Sequence, residues 1–191
     1  MAVNNTKEFL EYVKANPKSN FVVFTHVNET RFWHPDFLIR KFLARVPRYK
    51  KRGVTLDTTF SHCGTVWWED NVPAYYHQTY PTFTKGTFYG RPYFVAYEVK
   101  DRDKVELART LCKELYDKKK PYALSTLVTF AFTLWFTWIS NPIKAGKVCS
   151  QAVAYTYPGI VKGESRDADP QHAEFAFRDK LPSLKRFEIR Q

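Results

Sequence analysis

Between Phe60 and Val99 the chain reads as a succession of short strands, and this stretch limits the fold more than any other. Phe60 to Trp68 is one apolar, aromatic-rich run, and Ala74 to Thr79 is a second. In the third, Tyr93, Val95, Tyr97 and Val99 alternate with Phe94, Ala96 and Glu98. A period of two is the pleat of a strand, which sends successive side chains to opposite faces. Glu69 and Asp70 mark a turn between the first two runs, which are therefore expected as antiparallel neighbours. Phe21-Val22-Val23-Phe24 is a further short apolar run of strand type. Helical period surrounds these strands. It covers residues 6–15 (Phe9, Leu10, Val13, with Thr6 as N-cap), 36–46 (Phe37, Leu38, Phe42, Leu43, Val46) and 101–116 (Val105, Ala108, Leu111, Cys112, Leu115, capped by Asp101 or Asp103). The fold class this predicts is α+β, a small and mainly antiparallel sheet with helices on one side.

The 191 residues suit one domain over 1–191, and 16 Phe, 12 Tyr and 5 Trp supply a core that excludes wholesale disorder. A formal net charge of +11 favours anionic partners: acidic wall polymer, anionic lipid or nucleic acid. No nucleic-acid reader motif accompanies it, so nucleic acid is the weakest of the three. The basic run Arg48 to Arg52 reads as a solvated loop. Residues 121–143 carry no formal charge, and 123–140 approaches the length of a membrane span. However, Thr126, Thr129, Thr133, Thr137 and Ser140 draw a polar stripe down one helical face, and Pro121 and Pro142 close the ends. The expectation is an apolar insert that packs on the domain as a helix or covers the active site as a lid. The tail from about 159 is polar and interrupted by Pro170 and Pro182. It is expected to wrap the surface and end in a short strand, Phe187 to Ile189. The first residues lack a basic-then-apolar export signal, so synthesis in the cytoplasm is expected.

Three cysteines, Cys63, Cys112 and Cys149, are an odd number without CxxC spacing, which argues against a disulfide framework and a zinc site. No metal and no cofactor is expected. Cys112 falls on an apolar helical face and reads as core. Cys149 follows the loop Ala145-Gly146-Lys147 and precedes Ala152-Val153-Ala154, which places it at a helix start. There the helix dipole and free backbone N–H groups favour a thiolate and line an oxyanion hole. His62 lies in a strand, which fixes the direction of a base, and Gly64 leaves room on the same face. His77, in the neighbouring strand, can orient the His62 ring. Cys63 alternates to the opposite face from His62 and is not expected to be the nucleophile. Alone, a cysteine is more often a small buried hydrophobe and a strand histidine more often structural. The order and context of several pieces together carry more weight.

That order resembles the permuted members of the NlpC-type papain-like superfamily, themselves related to the lecithin:retinol acyltransferase-like proteins. In the permuted group the histidine strand precedes the cysteine helix. Phe21-Val22-Val23-Phe24 looks like the family's opening strand, and Phe37-Leu38-Ile39-Arg40-Lys41-Phe42 like the helix before the histidine. Ser61-His62-Cys63-Gly64 resembles its Ser-His-Val-Gly motif, Pro121-Tyr122 its Pro-Tyr element, and Cys149-Ser150-Gln151-Ala152-Val153-Ala154 its Cys-Ser-Glu-Leu-Val-Ala helix. Asp169-Pro170 followed by Leu181-Pro182 is similar to the family's tail. The departures are Cys63 in place of an apolar residue, Gln151 in place of Glu, and Lys119 where a glycine is expected. The resemblance implies a permuted papain-like fold with Cys149 as nucleophile, His62 as base and His77 as the polar third group. Tyr122 and Ser150 are then the expected oxyanion or substrate contacts.

The activity this implies is a cysteine amidohydrolase or peptidase, cleaving an amide in bacterial cell-wall peptide through a thioester. Two alternatives share the residues. One is a thiol acyltransferase or lipid hydrolase, suggested by the apolar insert. The other is a structural component of a phage particle built on a hydrolase fold, with particle proteins as partners.

Overall fold

A computed structural model describes residues 5–26, 35–121, 149–160, 169–181 and 183–190. The architecture is α+β, built on one six-stranded antiparallel sheet: β1 (Asn20–His26), β2 (His62–Glu69), β3 (Val72–Gln78), β4 (Phe83–Thr87), β5 (Tyr93–Val99) and β6 (Arg186–Arg190). Their spatial order is β4-β3-β2-β1-β5-β6. The helices are α1 (Thr6–Ala15), α2 (Pro35–Leu43), α3 (Pro47–Lys50), α4 (Arg102–Asp117), α5 (Cys149–Thr156) and α6 (Pro170–Lys180). β2 and β3 are joined by a tight turn in which Asp70 (φ 52°) and Asn71 (φ 64°) both adopt left-handed backbone. Two positive φ values suit the right-handed twist of a hairpin, and Asp and Asn tolerate them better than most side chains.

The central strands β1 and β5 are buried along their whole lengths, because helices cover both faces of the sheet. Val22 and Phe24 of β1 and Val95, Tyr97 and Val99 of β5 pack against Val105 and Ala108 of α4, Val153 of α5 and Phe177 of α6. Phe21, Val23, Phe94 and Ala96 point the other way, onto Phe9 and Val13 of α1. The expectation of helices on one side is therefore corrected. Phe9 and Val13 lie one turn apart on α1, so they present a continuous apolar ridge that the second sheet face accepts. The cap of α1 is Asn5 rather than Thr6, with its side chain accepting from the Glu8 N–H at 3.0 Å. Asp101 caps α4, accepting from Lys104 N–H at 3.2 Å.

The tail differs from a surface wrap. Asp169 caps α6, accepting from His172 N–H at 2.7 Å. Ala173 and Phe177 of that helix then reach into the core without exposure. β6 closes the sheet edge beside β5, with Phe187 and Ile189 turned inward. Within the basic run expected to be a solvated loop, α3 forms instead. Its Tyr49 is buried and donates a hydrogen bond to the Asp169 carboxylate, and this fastens α3 to the start of α6. Among the described residues no helix is long and apolar enough to cross a membrane. The insert 123–140 lies outside the described residues.

Phe9 is the centre of an aromatic cluster. Its ring meets Phe94 at 5.2 Å, Phe21 and Phe187 at 5.6 Å and Phe88 at 6.1 Å, all edge-on. Such contacts add to the free energy of burying the ring itself. Phe9→Ala is expected to destabilise the fold by ~3–5 kcal/mol, read as a lowered urea midpoint at unchanged slope. A midpoint equal to that of the native sequence would show that α1 does not hold the sheet face.

Candidate active site

His62 is the first residue of β2, at the end of the sheet where β1 and β3 finish and β5 begins. Gly64 of β2 stands opposite His77 of β3, so His62 and His77 are diagonal neighbours on one face. Their rings meet edge-on, and His62 Nε2 lies 2.8 Å from His77 Nδ1. Gly64 makes this approach feasible. A Cβ at that position would sit 2.6 Å from Tyr75 Cε2, 2.7 Å from His77 Cβ and 2.7 Å from the Tyr76 carbonyl oxygen.

Cys149 opens α5, which packs across β2 on the opposite face of the sheet from His77. Cys63 alternates onto that face and meets it, while His62 reaches the same thiol from the rim of the strand. The position of His62 as the terminal residue explains how one imidazole serves both sides: no earlier β2 residue confines it to one face. Nε2 is engaged by His77, which leaves Nδ1 for the thiol.

Several influences set the charge of Cys149. The largest is a hydrogen bond from the Cys63 thiol, which favours the thiolate. Burial opposes it, and the charge and hydrogen bond of His62 together with the Cys63 backbone N–H favour it again. The balance holds Cys149 well below the ordinary thiol range. Cys63 moves the other way: burial pushes it up, and the neighbouring Cys149 and Asp169 push it further. The two sulfurs are thus pushed in opposite directions, Cys149 toward the thiolate and Cys63 toward the thiol. Cys112 lies apart from both, on the α4 face against Trp67 and Ala152, where burial raises it to about 12.

His77 is held neutral. Burial lowers it first, then the nearby His62 and Arg91, to about 3. A neutral His77 can accept at Nδ1, so an imidazolium at His62 can donate from Nε2 while facing the Cys149 thiolate through Nδ1. The His77 proton then sits on Nε2, directed to Thr84 Oγ1 at 3.4 Å, and the Thr84 hydroxyl faces the His77 carbonyl at 3.5 Å. Tyr75 stacks flat on His77, with ring centroids 4.2 Å apart at 10°, and fixes its plane. Thr84, Tyr75 and Arg91 were not singled out from the sequence. Only the cross-strand pairing of His77 with Thr84 could have found the first of them.

Of the sequence-predicted site residues, the structure brings Cys149, His62 and His77 together. Ser150 is fully buried in the first turn of α5. Tyr122 lies outside the described residues. Among the described residues no group of His, Cys, Asp and Glu side chains is placed to hold a metal ion.

Two expectations follow from this geometry. Gly64→Ala forces the new methyl into the Tyr76 carbonyl oxygen, the Tyr75 ring and the His77 Cβ, so it should destabilise the fold by about 1–3 kcal/mol and slow Cys149 alkylation. An unchanged urea midpoint and an unchanged alkylation rate would refute the close-approach argument. His77 bears on pH. Unfolded, it takes a proton near pH ~6.5; folded, it resists protonation down to about 3. Between those values the unfolded chain binds more protons, so stability falls as pH falls. From pH ~7 to ~4.5, the native sequence should lose about 2–3 kcal/mol more than His77→Asn. Urea titrations of both proteins at the two pH values measure this, and equal losses would show that His77 is not buried as a neutral ring. Set against models of protein families, against curated proteins and against solved structures, the chain gives no match.

Proposed function

We propose that the protein is a cysteine amidohydrolase of the permuted papain-like kind, with Cys149 as nucleophile, His62 as general base and acid, and His77 as the group that orients His62. The observation that supports this most is the 2.8 Å contact between His62 Nε2 and His77 Nδ1 on an imidazole that also hydrogen-bonds the Cys149 thiol. A nucleophile, its base and a third group orienting the base are the parts that thiol acyl transfer needs.

The reaction runs in two halves. Cys149 Sγ attacks the amide carbonyl carbon, and the developing oxyanion faces the N–H groups of the first turn of α5, which lack intrahelical acceptors. His62 hands its Nδ1 proton to the leaving nitrogen, the C–N bond breaks, and a thioester remains. Water then attacks the thioester carbonyl. His62 takes the water's proton, the C–S bond breaks, and the acid and the Cys149 thiolate are released. Throughout, neutral His77 accepts from His62 Nε2, which keeps Nδ1 aimed at sulfur. The substrate class that fits the resemblance and the +11 charge is a peptide amide in an anionic cell-wall polymer.

The test is iodoacetamide alkylation across pH 5 to 9 (a range of about four units around the thiol's ordinary pKa), mapped by mass spectrometry in the native sequence and in His62→Ala. Cys149 should label faster than Cys63 and Cys112 at pH ~6, where an ordinary thiol is almost wholly protonated. His62→Ala should cut that advantage by about tenfold or more without abolishing it, because Cys63 still donates to the sulfur. A Cys149 that labels no faster than Cys112 would sink the hydrolase reading.

A further inference from the structure

The family motif that Ser61-His62-Cys63-Gly64 resembles carries an apolar residue where this chain has Cys63, and the structure sets that extra thiol against the nucleophile. Cys63 is fully buried in β2, and Cys149 is about 5% exposed at the start of α5; both belong to one core cluster. The helix that Cys149 opens packs on β2, and the two thiols act on each other: Cys63 pushes Cys149 toward the thiolate, and Cys149 pushes Cys63 toward the thiol. Cys63 favours the Cys149 thiolate, but in the acyl-transfer steps it is neither the base nor the group that orients the base.

We propose that Cys63 is a resolving cysteine: when Cys149 is oxidised by a hydroperoxide, Cys63 closes a reversible disulfide with it and takes the active site out of use. The inference rests on Cys149 being the reactive nucleophile.

The steps balance. The Cys149 thiolate attacks one oxygen of the hydroperoxide, the O–O bond breaks, and an alcohol (water, for hydrogen peroxide) leaves with a proton from solvent. Cys149 is then a sulfenic acid, oxidised by two electrons. Cys63 Sγ attacks the sulfenic sulfur, the S–O bond breaks, and the hydroxyl leaves as water with the Cys63 proton. In sum, two thiols lose two electrons and two protons, and the hydroperoxide becomes an alcohol and water. A dithiol reverses the bond by exchange, attacking one sulfur and then its own mixed disulfide.

The division of labour follows from burial and charge. Oxidation by peroxide falls on the thiolate that solvent can reach. Of the two, Cys149 alone has any exposed surface, and Cys63 and His62 push it toward the anion. Cys63 has no exposed surface, and burial keeps it protonated, so it is oxidised only through its partner. The condensation is intramolecular between groups the fold already holds in contact, which gives it a large advantage over thiols in solution. A disulfide brings the two sulfurs to about 2.05 Å, and both side chains enter the same core cluster, one from β2 and one from the start of α5. Cys112 offers an internal control. It packs in a different cluster, where its hydrogen-bond partners are Thr65 and Thr156 rather than a second thiol.

The experiment treats the full chain with an excess of hydrogen peroxide, about ten equivalents, at pH ~7, followed by non-reducing digestion and mass spectrometry. Iodoacetamide labelling of Cys149 is followed before and after dithiothreitol. The native sequence should yield a peptide pair linked through Cys63 and Cys149, lose Cys149 labelling about tenfold or more, and recover it with dithiothreitol. Cys112→Ala should behave the same. Cys63→Val, which restores an apolar side chain, and Cys63→Ala should instead carry sulfinic acid at Cys149 and recover no labelling. The inference is overturned if native Cys149 reaches the sulfinic state without a linked peptide, as fast as in the Cys63 variants. A reduced Cys149 that labels rapidly but forms no link removes this inference and leaves the hydrolase reading standing. A reduced Cys149 that is inert removes the hydrolase reading, and this inference with it.

Discussion

Strand β2 is registered along both edges, and the site depends on that register being right to the residue. On one edge Cys63 pairs with Phe24 of β1; on the other Gly64 pairs with His77 of β3. Because side chains alternate, a slip of one residue would exchange the faces of His62 and Cys63. Gly64 would no longer stand beside His77, and a side chain would take its place where no Cβ fits. The register is fixed by burial on both sides. Val66 packs toward α1 and Trp67 toward α4, where Trp67 lies flat on Tyr76 with ring centroids 4.1 Å apart. Neither could trade places without exposing one side chain and overfilling the other cavity. The hydrophobic core thus sets the geometry of the polar relay, and Cys63 and Cys149 belong to both.

Given that geometry, the electrostatics follow from a shortage of water. A buried site tolerates one ion pair in contact far better than several separate charges. Cys149, pushed toward the thiolate, and His62, whose charge favours that form, are the groups placed to make such a pair. His77 and Cys63, which flank it, are pushed by the same burial toward their neutral forms, one losing its proton and the other keeping it. Each neutral flank then offers the hydrogen bond its neighbour needs: His77 a lone pair to the imidazolium, Cys63 a proton to the thiolate. Arg91, near His77 and Tyr75, adds positive potential on the imidazole side and opposes a second protonated ring.

How much of this could be read from the chain depends on whether a residue's role was set locally. The helix over 6–15, the strand 93–99 and the helix start at Cys149 were legible because periodicity and caps are properties of a single segment. The relation of His62 to His77 was legible because a short hairpin leaves few ways to pair two strands. β4 was not, since Lys85 and Gly86 interrupt the strand-favouring Phe83, Thr84 and Thr87 and the segment is held by pairing with β3. The helix Pro170–Lys180 was hidden by charge: Glu174, Arg178, Asp179 and Lys180 suggest surface, while only Ala173 and Phe177 meet the core with no exposure at all. Covering of the second sheet face by α1 was equally out of reach, because an amphipathic helix does not say which face it will cover. Alternation did place Cys63 on the opposite face from His62, in the cluster that holds Cys149. What alternation could not reveal is that Cys149 itself lies on the Cys63 side and that His62 bears on it from the strand end.

The Cys63 contact also has a kinetic consequence. A thiolate stabilised by a hydrogen bond is more abundant at neutral pH but less nucleophilic, because reactivity falls with pKa at a slope of roughly 0.4–0.5. While the thiol is still mostly protonated at neutral pH, lowering its pKa by one unit raises the thiolate fraction nearly tenfold and costs each thiolate only about threefold, so the hydrogen bond is a net gain. Once the pKa lies well below ambient pH, the fraction is already near one and only the loss remains. The several donors that converge on Cys149 take it toward that second regime. From there, further stabilisation by Cys63 no longer helps attack on a carbonyl. An apolar residue at 63 would therefore give fewer or equal thiolates, each more reactive, and at neutral pH the two effects nearly offset. Acyl transfer alone then gives little reason for a thiol at this position, whereas a partner for an oxidised nucleophile must be a thiol.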